Sequence, residues 1–317
     1  MNTISITNFK TRSALTYDLV DLSYQQFGPE LGQADVVLVN HALTGNSEVS
    51  GQKGWWNKIV GPNCAIDTNI YTVICFDIPG NGSLDFEIEN YKEWEAADIA
   101  KLFLLALEKL GVSRLFALIG ASLGGGIAWE MLAVNPSLVQ HFIPVATDWK
   151  ARDWLVANCK IQEAILCSSP NPIHDARMHA MLCYRTPEGV DRKFGERRVE
   201  GENIFEVESW LDHHGKSLEE RFSLSSYKLM NQLLRTVDIN NAENRLKSIF
   251  QIEDLTLHIV AVDSDLFYPA SYSKETYFKA KKTGASTFYH EINSFDGHDA
   301  FLIEGEQLNK ILRPIFK

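Results

Sequence analysis

A serine flanked by glycines, Gly120-Ala121-Ser122-Leu123-Gly124, follows the apolar run Leu115-Phe116-Ala117-Leu118-Ile119 and precedes a helical pattern that reaches Trp129 and Leu132. A strand that turns this sharply into a helix exposes the serine hydroxyl at the bend and sets its backbone amide near a helix N-terminus. Ser122 is therefore a candidate nucleophile. Taken alone, the five residues also fit a glycine-rich turn that only packs a helix on a sheet. A serine nucleophile needs a base to take its proton and an acid to orient that base, and on this kind of strand-helix turn they follow in the order serine, acid, histidine. Asp263-Ser264-Asp265-Leu266-Phe267-Tyr268-Pro269 follows one strand-like run, and Asn293-Ser294-Phe295-Asp296-Gly297-His298-Asp299 follows the next. Asp265 is the expected acid and His298 the expected base. Asp263 competes for the acid role, but it lies closer to the strand. Acyl transfer further requires donors aimed at a developing oxyanion. The Leu123 amide is one candidate and the Leu43 amide, in Asn40-His41-Ala42-Leu43-Thr44-Gly45, is the other.

These residues need a scaffold that brings their loops together. Strands are predicted at residues 36–39, 71–76, 115–119, 142–145, 257–262 and 286–292, alternating with helical patterns, which is the signature of a mainly parallel sheet in an α/β fold. Residues 94–110 form an amphipathic crossover helix, with Ile99, Leu102, Phe103, Ala106 and Leu110 on one face and Gly111 as its stop. From 149 to 250 the alternation lapses into helical and polar patterns. The expectation is an α/β core of residues 1–148 and 251–317, with 149–250 inserted as a helical cap.

Composition excludes several classes. The 317 residues are 45% hydrophobic, enough for a large core, and the net charge of −11 repels nucleic acid and anionic membrane surfaces. No apolar run approaches the roughly 20 residues that cross a bilayer, and the N-terminus lacks the order of a signal peptide, so a soluble cytoplasmic protein is expected. The five cysteines are odd in number and include no C-x-x-C pair, so they read as buried or partly buried free thiols. No metal is expected, because His213 and His214 diverge on a helix and the His174 and His179 spacing misses i, i+4. Arg185, Arg192, Lys193, Arg197 and Arg198 read as a solvated basic face of the cap. Trp55 and Trp56 read as packing near the Leu43 loop.

Four segments, His41-Ala42-Leu43-Thr44-Gly45, Gly54-Trp55-Trp56, Gly120-Ala121-Ser122-Leu123-Gly124-Gly125 and Asp296-Gly297-His298-Asp299-Ala300-Phe301-Leu302, together resemble the homoserine O-acetyltransferase family of α/β-hydrolase-fold enzymes. The resemblance runs over most of the chain. In that family the triad aspartate sits in a Ser-Asp-x-Leu-x-Pro-like segment, which Ser264-Asp265-Leu266-Phe267-Tyr268-Pro269 approximates, and this favours Asp265 over Asp263. The resemblance implies a central, mainly parallel sheet flanked by helices. It also implies a ping-pong transfer of an acetyl group from acetyl-CoA to L-homoserine in the methionine branch, with no bound cofactor. An arginine followed seven positions later by a tyrosine helps to bind the family's amino-acid substrate, and Arg177 and Tyr184 match that spacing. Asp299 would hold the α-ammonium as the family's aspartate does. The helical cap is the surface through which a homodimer would form. The chain departs from the family in its shorter length and in Cys167-Ser168-Ser169-Pro170-Asn171-Pro172-Ile173-His174, which lacks the Asp-Pro pattern common before the arginine. Relatives using a succinyl donor or a serine acceptor share the resemblance, as would an esterase or thioesterase built on the same triad.

Overall fold

The computed structural model of the chain describes residues 1–82, 87–239 and 243–316. The chain opens with an antiparallel pair, β1 (Asn2–Lys10) and β2 (Thr16–Phe27), in which Ile4 faces Leu22 and Ile6 faces Val20. The sequence reading does not predict this pair. Ile6 and Phe9 are both buried although three positions apart, and Asn8 between them takes a φ of 54°, so the period-two pattern of a strand is broken.

The remaining strands are β3 (Val36–Asn40), the short parallel pair β4 (Val60–Gly61) and β5 (Ile66–Asp67), then β6 (Thr72–Phe76), β7 (Leu115–Ala121), β8 (Val139–Val145), β9 (Thr256–Val262) and β10 (Ser286–Ile292). Five of the expected strand ends shift by one to three residues, and the span 286–292 is found unchanged. One eight-stranded sheet runs in the order β1-β2-β6-β3-β7-β8-β9-β10, parallel from β6 to β10. Its central strands are buried on both faces, as parallel sheets require. Leu38 and Leu118 pack on one side with α1 (Ala96–Lys109) and α2 (Leu123–Val134), while Val37, Val39 and Ile119 pack on the other with the C-terminal Leu312 and Phe316.

Helix α1 starts where Glu95 and Asp98 close a capping box, presents Ile99, Leu102, Phe103 and Ala106 to the sheet, and stops before Gly111 at a φ of 72°. Each such fully buried Leu, Ile or Phe contributes about 1.5–3 kcal/mol. Between β8 and β9 lie α3 (Asp153–Ser168), α4 (Pro172–Tyr184), α5 (Pro187–Phe194), α6 (Glu206–Glu219), α7 (Leu224–Arg235) and α8 (Glu243–Ile249), and no strand of the main sheet among the described residues. The expected insertion 149–250 includes 240–242, which lie outside the described residues. Its apolar side, including Leu155, Ile173, Leu218 and Leu229, is continuous with the core under α1 and α2. After β9 come α9 (Ala270–Lys282), then α10 (Ala300–Ile303) and α11 (Gly305–Leu312). No helix among the described residues is long and apolar enough to cross a membrane.

Strand register sets the site. Asn40 pairs with Gly120, Ala121 with Val145, and Val262 with Ile292, so the carboxyl ends of β3, β7, β8, β9 and β10 lie along one edge of the sheet. Every loop that carries a candidate residue leaves from that edge, where parallel α/β sheets hold their ligands.

Candidate active site

Ser122 takes a φ of 53° and a ψ of −123°, a strained setting for a residue with a Cβ. Its neighbours hold it there. The Ser122 N–H donates to Val145 O at 3.0 Å, and the Thr147 hydroxyl donates to Ser122 O at 2.8 Å. The flanking glycines permit the bend. A Cβ on Gly120 would lie 2.4 Å from Gly124 O, and one on Gly124 would lie 2.3 Å from Asn40 O, so strand and helix approach more closely than any side chain allows.

His298 enters from the loop after β10, and its Nε2 lies 2.9 Å from Ser122 Oγ. Its Nδ1 lies 2.7 Å from Asp265 Oδ2. The other oxygen of Asp265 accepts the Phe267 and Tyr268 N–H groups at 2.7 and 2.8 Å. All three side chains are buried. Tyr184, Phe267, Tyr268 and Phe301 surround the imidazole, with ring centres 5.1 to 5.6 Å from it. This arrangement fixes the ring's tilt and orients Nδ1–H toward the carboxylate, leaving Nε2 free to take a proton from the serine. Asp263, the competing acid, points elsewhere: its exposed carboxylate accepts the Ser294 N–H at 3.1 Å.

Leu123 is the first residue of α2, where the backbone N–H has no partner within the helix. Leu43 sits in the turn that leaves β3 beside the elbow, and it lines a narrow cavity with Tyr184, Tyr227 and Phe267. His41 braces that turn. Its Nδ1 lies 2.7 Å from Ala42 O and its Nε2 accepts the Ile78 N–H at 3.1 Å, a neutral tautomer favoured because burial lowers its pKa. Asp77 adds a second brace, accepting the Ser47 N–H at 2.7 Å and the Ser47 hydroxyl at 2.9 Å. Trp56 donates to Phe301 O at 3.0 Å and Trp55 to Asn46 O at 2.9 Å, so both indoles pack beneath this turn.

On α4, Arg177 and Tyr184 are two turns apart on one face. The Arg177 guanidinium lies 5.8 Å from the centre of the Tyr184 ring, which in turn lies 5.5 Å from the His298 ring. Burial pushes the Tyr184 phenol well above its ordinary pKa, so it stays a neutral hydroxyl. Among the described residues no carboxylate pairs with Arg177. Asp299 differs from the expectation of a bare carboxylate waiting for an ammonium, because its Oδ2 pairs with Arg185 Nε at 3.1 Å. Arg185 also pairs with Asp296, so one arginine grips the acids on both sides of Gly297-His298.

Arg185 therefore corrects the reading of a solvated basic face. That reading describes Arg192, paired with Glu188, and Arg197, paired with Glu206, both exposed. Only 14% of the Arg185 side chain is exposed, against 58% for Arg192. Nothing in the local sequence separates them, since the partners of Arg185 lie 111 and 114 residues away. Gly297, with a φ of 64°, completes the junction: a Cβ there would lie 2.6 Å from Tyr184 O. His214 registers the charge gathered here. Burial first, then the positive charges of Arg177, His213, Lys193 and Arg185, pull its pKa down to about 4. The cysteines also depart in part from the expectation: Cys75 and Cys159 are buried and Cys64 and Cys183 half-buried, but Cys167 is exposed.

A serine on a strained strand-helix elbow, a histidine within hydrogen-bond reach of it and a buried aspartate behind the histidine define an enzyme of the α/β-hydrolase class. A family profile described as alpha/beta hydrolase fold matches residues 35–159. A homoserine O-acetyltransferase of Corynebacterium efficiens is 30% identical, the match covering 99% of this chain and 92% of that protein. Among solved structures, homoserine O-acetyltransferase from Bacillus anthracis superposes with a TM-score of 0.88 at 20% identity, over 100% of this chain and 97% of that one. Esterase E22 superposes with a TM-score of 0.87 at 17% identity, over 100% and 99%. The chain belongs to the homoserine O-acetyltransferase family, and it is an acyltransferase of that family.

Proposed function

We propose that this acyltransferase moves an acetyl group from acetyl-CoA to the hydroxyl of L-homoserine by a ping-pong route, in the methionine branch and in the cytoplasm. Ser122 Oγ attacks the thioester carbonyl carbon while His298 Nε2 takes the hydroxyl proton. The Leu43 and Leu123 amides hold the resulting oxyanion. His298 returns the proton to the departing thiolate, and CoA leaves. Homoserine then gives its hydroxyl proton to His298, its oxygen takes the acetyl group from Ser122, and His298 returns the proton to the departing Ser122 Oγ. Asp265 keeps the imidazole in the tautomer that both halves require.

The observation that carries this reading is the placement of Arg177 and Tyr184 beside the triad. A planar guanidinium without a carboxylate partner suits an amino acid's α-carboxylate, and Tyr184 links that position to His298. Asp299 takes the α-ammonium through the oxygen that Arg185 leaves open. The insertion 149–250 serves as the cap that covers the acceptor, and two copies would meet through it.

A second reading is hydrolysis, with water as the acceptor. The likeness to esterase E22 and the same triad favour it. Incubation with acetyl-CoA, with and without L-homoserine, separates the two readings. Thiol release that depends on homoserine and yields O-acetylhomoserine supports transfer, whereas equal release without homoserine supports hydrolysis.

A further inference from the structure

The insertion leaves and rejoins the core at a neck, where Ala151 N–H donates to Val237 O at 2.7 Å and Ile239 N–H to Trp149 O at 3.3 Å. Beside this neck a cleft of about 240 Å³ opens between α8 and α9, and none of the triad residues lines it. Trp149, Leu246 and Phe250, all buried, form its floor. Lys247, Lys279 and Lys282 stand at its rim. The Nζ of Lys150 lies 4.8 Å from the centre of the Trp149 ring, and that of Lys279 lies 5.7 Å from it. Lys279 pairs with Glu275 at 3.0 Å, but among the described residues no carboxylate pairs with Lys247 or Lys282, and none lines the cleft. The Trp149 indole N–H is buried and has no hydrogen-bond partner among the described residues, which a buried donor ordinarily has. Lysines in the last turn of a helix are common, since they answer its carbonyl end. Here, however, Lys150 stands on no helix, and two helices from opposite ends of β9 bring theirs to one cleft. In a chain of net charge −11, ammonium groups gathered around an aromatic, apolar floor suit an anion that carries a flat apolar body. The cleft is smaller than the roughly 300–1,000 Å³ of a pocket that engulfs a whole drug-sized ligand, so it takes a compact group or one end of a larger molecule.

We propose that this cleft binds a nucleoside phosphate, with the base on Leu246 and Phe250 beside the Trp149 indole and the phosphate among Lys247, Lys279 and Lys282. Lysine meets a phosphate as a point charge, so the seat needs their convergence and not a fixed fork. Two sources carry this chemistry: the nucleotide end of an acyl-CoA, and a free nucleotide that binds apart from the reaction. The first source alone rests on the acyl-donor reading above. Either ligand would sit where the insertion joins the core, two residues beyond Thr147, whose hydroxyl donates to Ser122 O at 2.8 Å.

Three proteins test this: wild type, the double variant Lys247→Gln with Lys282→Gln, which removes both unpaired charges, and Lys247→Arg with Lys282→Arg, which keeps them. Calorimetric titration with adenosine 3′,5′-bisphosphate reads the cleft directly, with adenosine alone as the uncharged control. Wild type is expected to bind the bisphosphate and adenosine at least tenfold more weakly, and the Gln variant to lose about tenfold or more in affinity for the bisphosphate. The Arg variant is expected to keep most of that affinity. No binding of the bisphosphate to wild type, or equal binding in wild type and the Gln variant, overturns the proposal. The KM for acetyl-CoA then separates the two sources, with acylation of Ser122 by p-nitrophenyl acetate, which has no nucleotide, as the check that the triad is intact. A raised acetyl-CoA KM in the Gln variant with normal acylation by the ester assigns the cleft to the nucleotide end of the donor, whereas an unchanged KM assigns it to a free nucleotide. If wild type releases no thiol from acetyl-CoA, the donor reading falls, while the titration still decides the cleft.

Discussion

Replacing Asp265 by asparagine tests the triad most sharply, because the structure dictates which way the new amide must face. Oδ1 of Asp265 accepts two backbone N–H groups, from Phe267 and Tyr268, at 2.7 and 2.8 Å. Only the amide oxygen can replace it there, so the amide nitrogen must turn toward His298. That nitrogen is a donor, and it forces Nδ1 of His298 to accept. The ring proton then moves to Nε2, where it faces Ser122 Oγ and blocks proton transfer. The same tautomer error in a serine triad costs about ten-thousandfold in kcat, or roughly 5 kcal/mol of barrier. The fold should survive, since both backbone hydrogen bonds remain and only a charge-assisted bond becomes neutral, at a cost of about 1 kcal/mol. Steady-state thiol release would be measured alongside the melting temperature. Asp263→Asn is the control, for its exposed carboxylate accepts one N–H that an amide oxygen can equally accept, and it should retain most of the activity. A ten-thousandfold loss in Asp263→Asn, or more than about a tenth of wild-type kcat in Asp265→Asn, would refute the reasoning.

Three further outcomes are expected. Ser122→Ala should show no acyl adduct by intact-protein mass after mixing with acetyl-CoA, where wild type gains one acetyl group; an adduct in the variant would place the nucleophile elsewhere. Arg177→Ala should raise the barrier for transfer to homoserine by about 2–5 kcal/mol while reducing the initial burst of CoA far less; equal losses in both steps, measured by stopped flow, would count against its role at the carboxylate. The third outcome concerns His258, whose pKa is pulled down to about 3 by burial first and then by the charges of His141 and His290. A histidine whose folded pKa lies below its ordinary 6.5 adds stability that is whole above that value and is lost as pH falls from 6.5 toward 3. Glu130, raised to about 7 by burial, acts with the opposite sign, losing its contribution as pH rises from 4.5 through 7. Comparing wild type with His258→Leu isolates the histidine: the variant should lose less melting temperature between pH 7.5 and 5, and parallel slopes would contradict the assignment.

The parallel core and the order of the three triad residues were legible because both depend on local signals. Val36 to Val39 and Leu115 to Ile119 are continuous apolar runs, and Ser122, Asp265 and His298 each stand just past a strand. The hairpin β1–β2 was not, because its strands mix Thr, Asn and Asp with few apolar residues and Asn8 breaks the alternation. Arg177 and Tyr184 could be paired through the resemblance, whose arginine and tyrosine stand at the same seven-residue spacing. Arg185 could not, since its partners are distant in sequence and only tertiary approach tells a buried arginine from a solvated one. The brace supplied by His41 was visible as a motif residue but not as a role, which rests on the hydrogen bond to Ile78.

The junction at Gly297 bears on how such an enzyme can be altered by recombination. The end of α4 lies against the histidine loop without room for a methyl group, and Arg185 spans the two acids on either side of His298. A cap transplanted from a relative would therefore arrive with a foreign partner for residues 295–299 and misalign the base it is meant to cover. On the proposed function, acceptor preference and the seat of the general base form one unit of inheritance. Lineages that diverge in the cap should carry compensating changes in this short C-terminal loop, and chimaeras built at the borders of the insertion should regain turnover only when both segments come from the same parent.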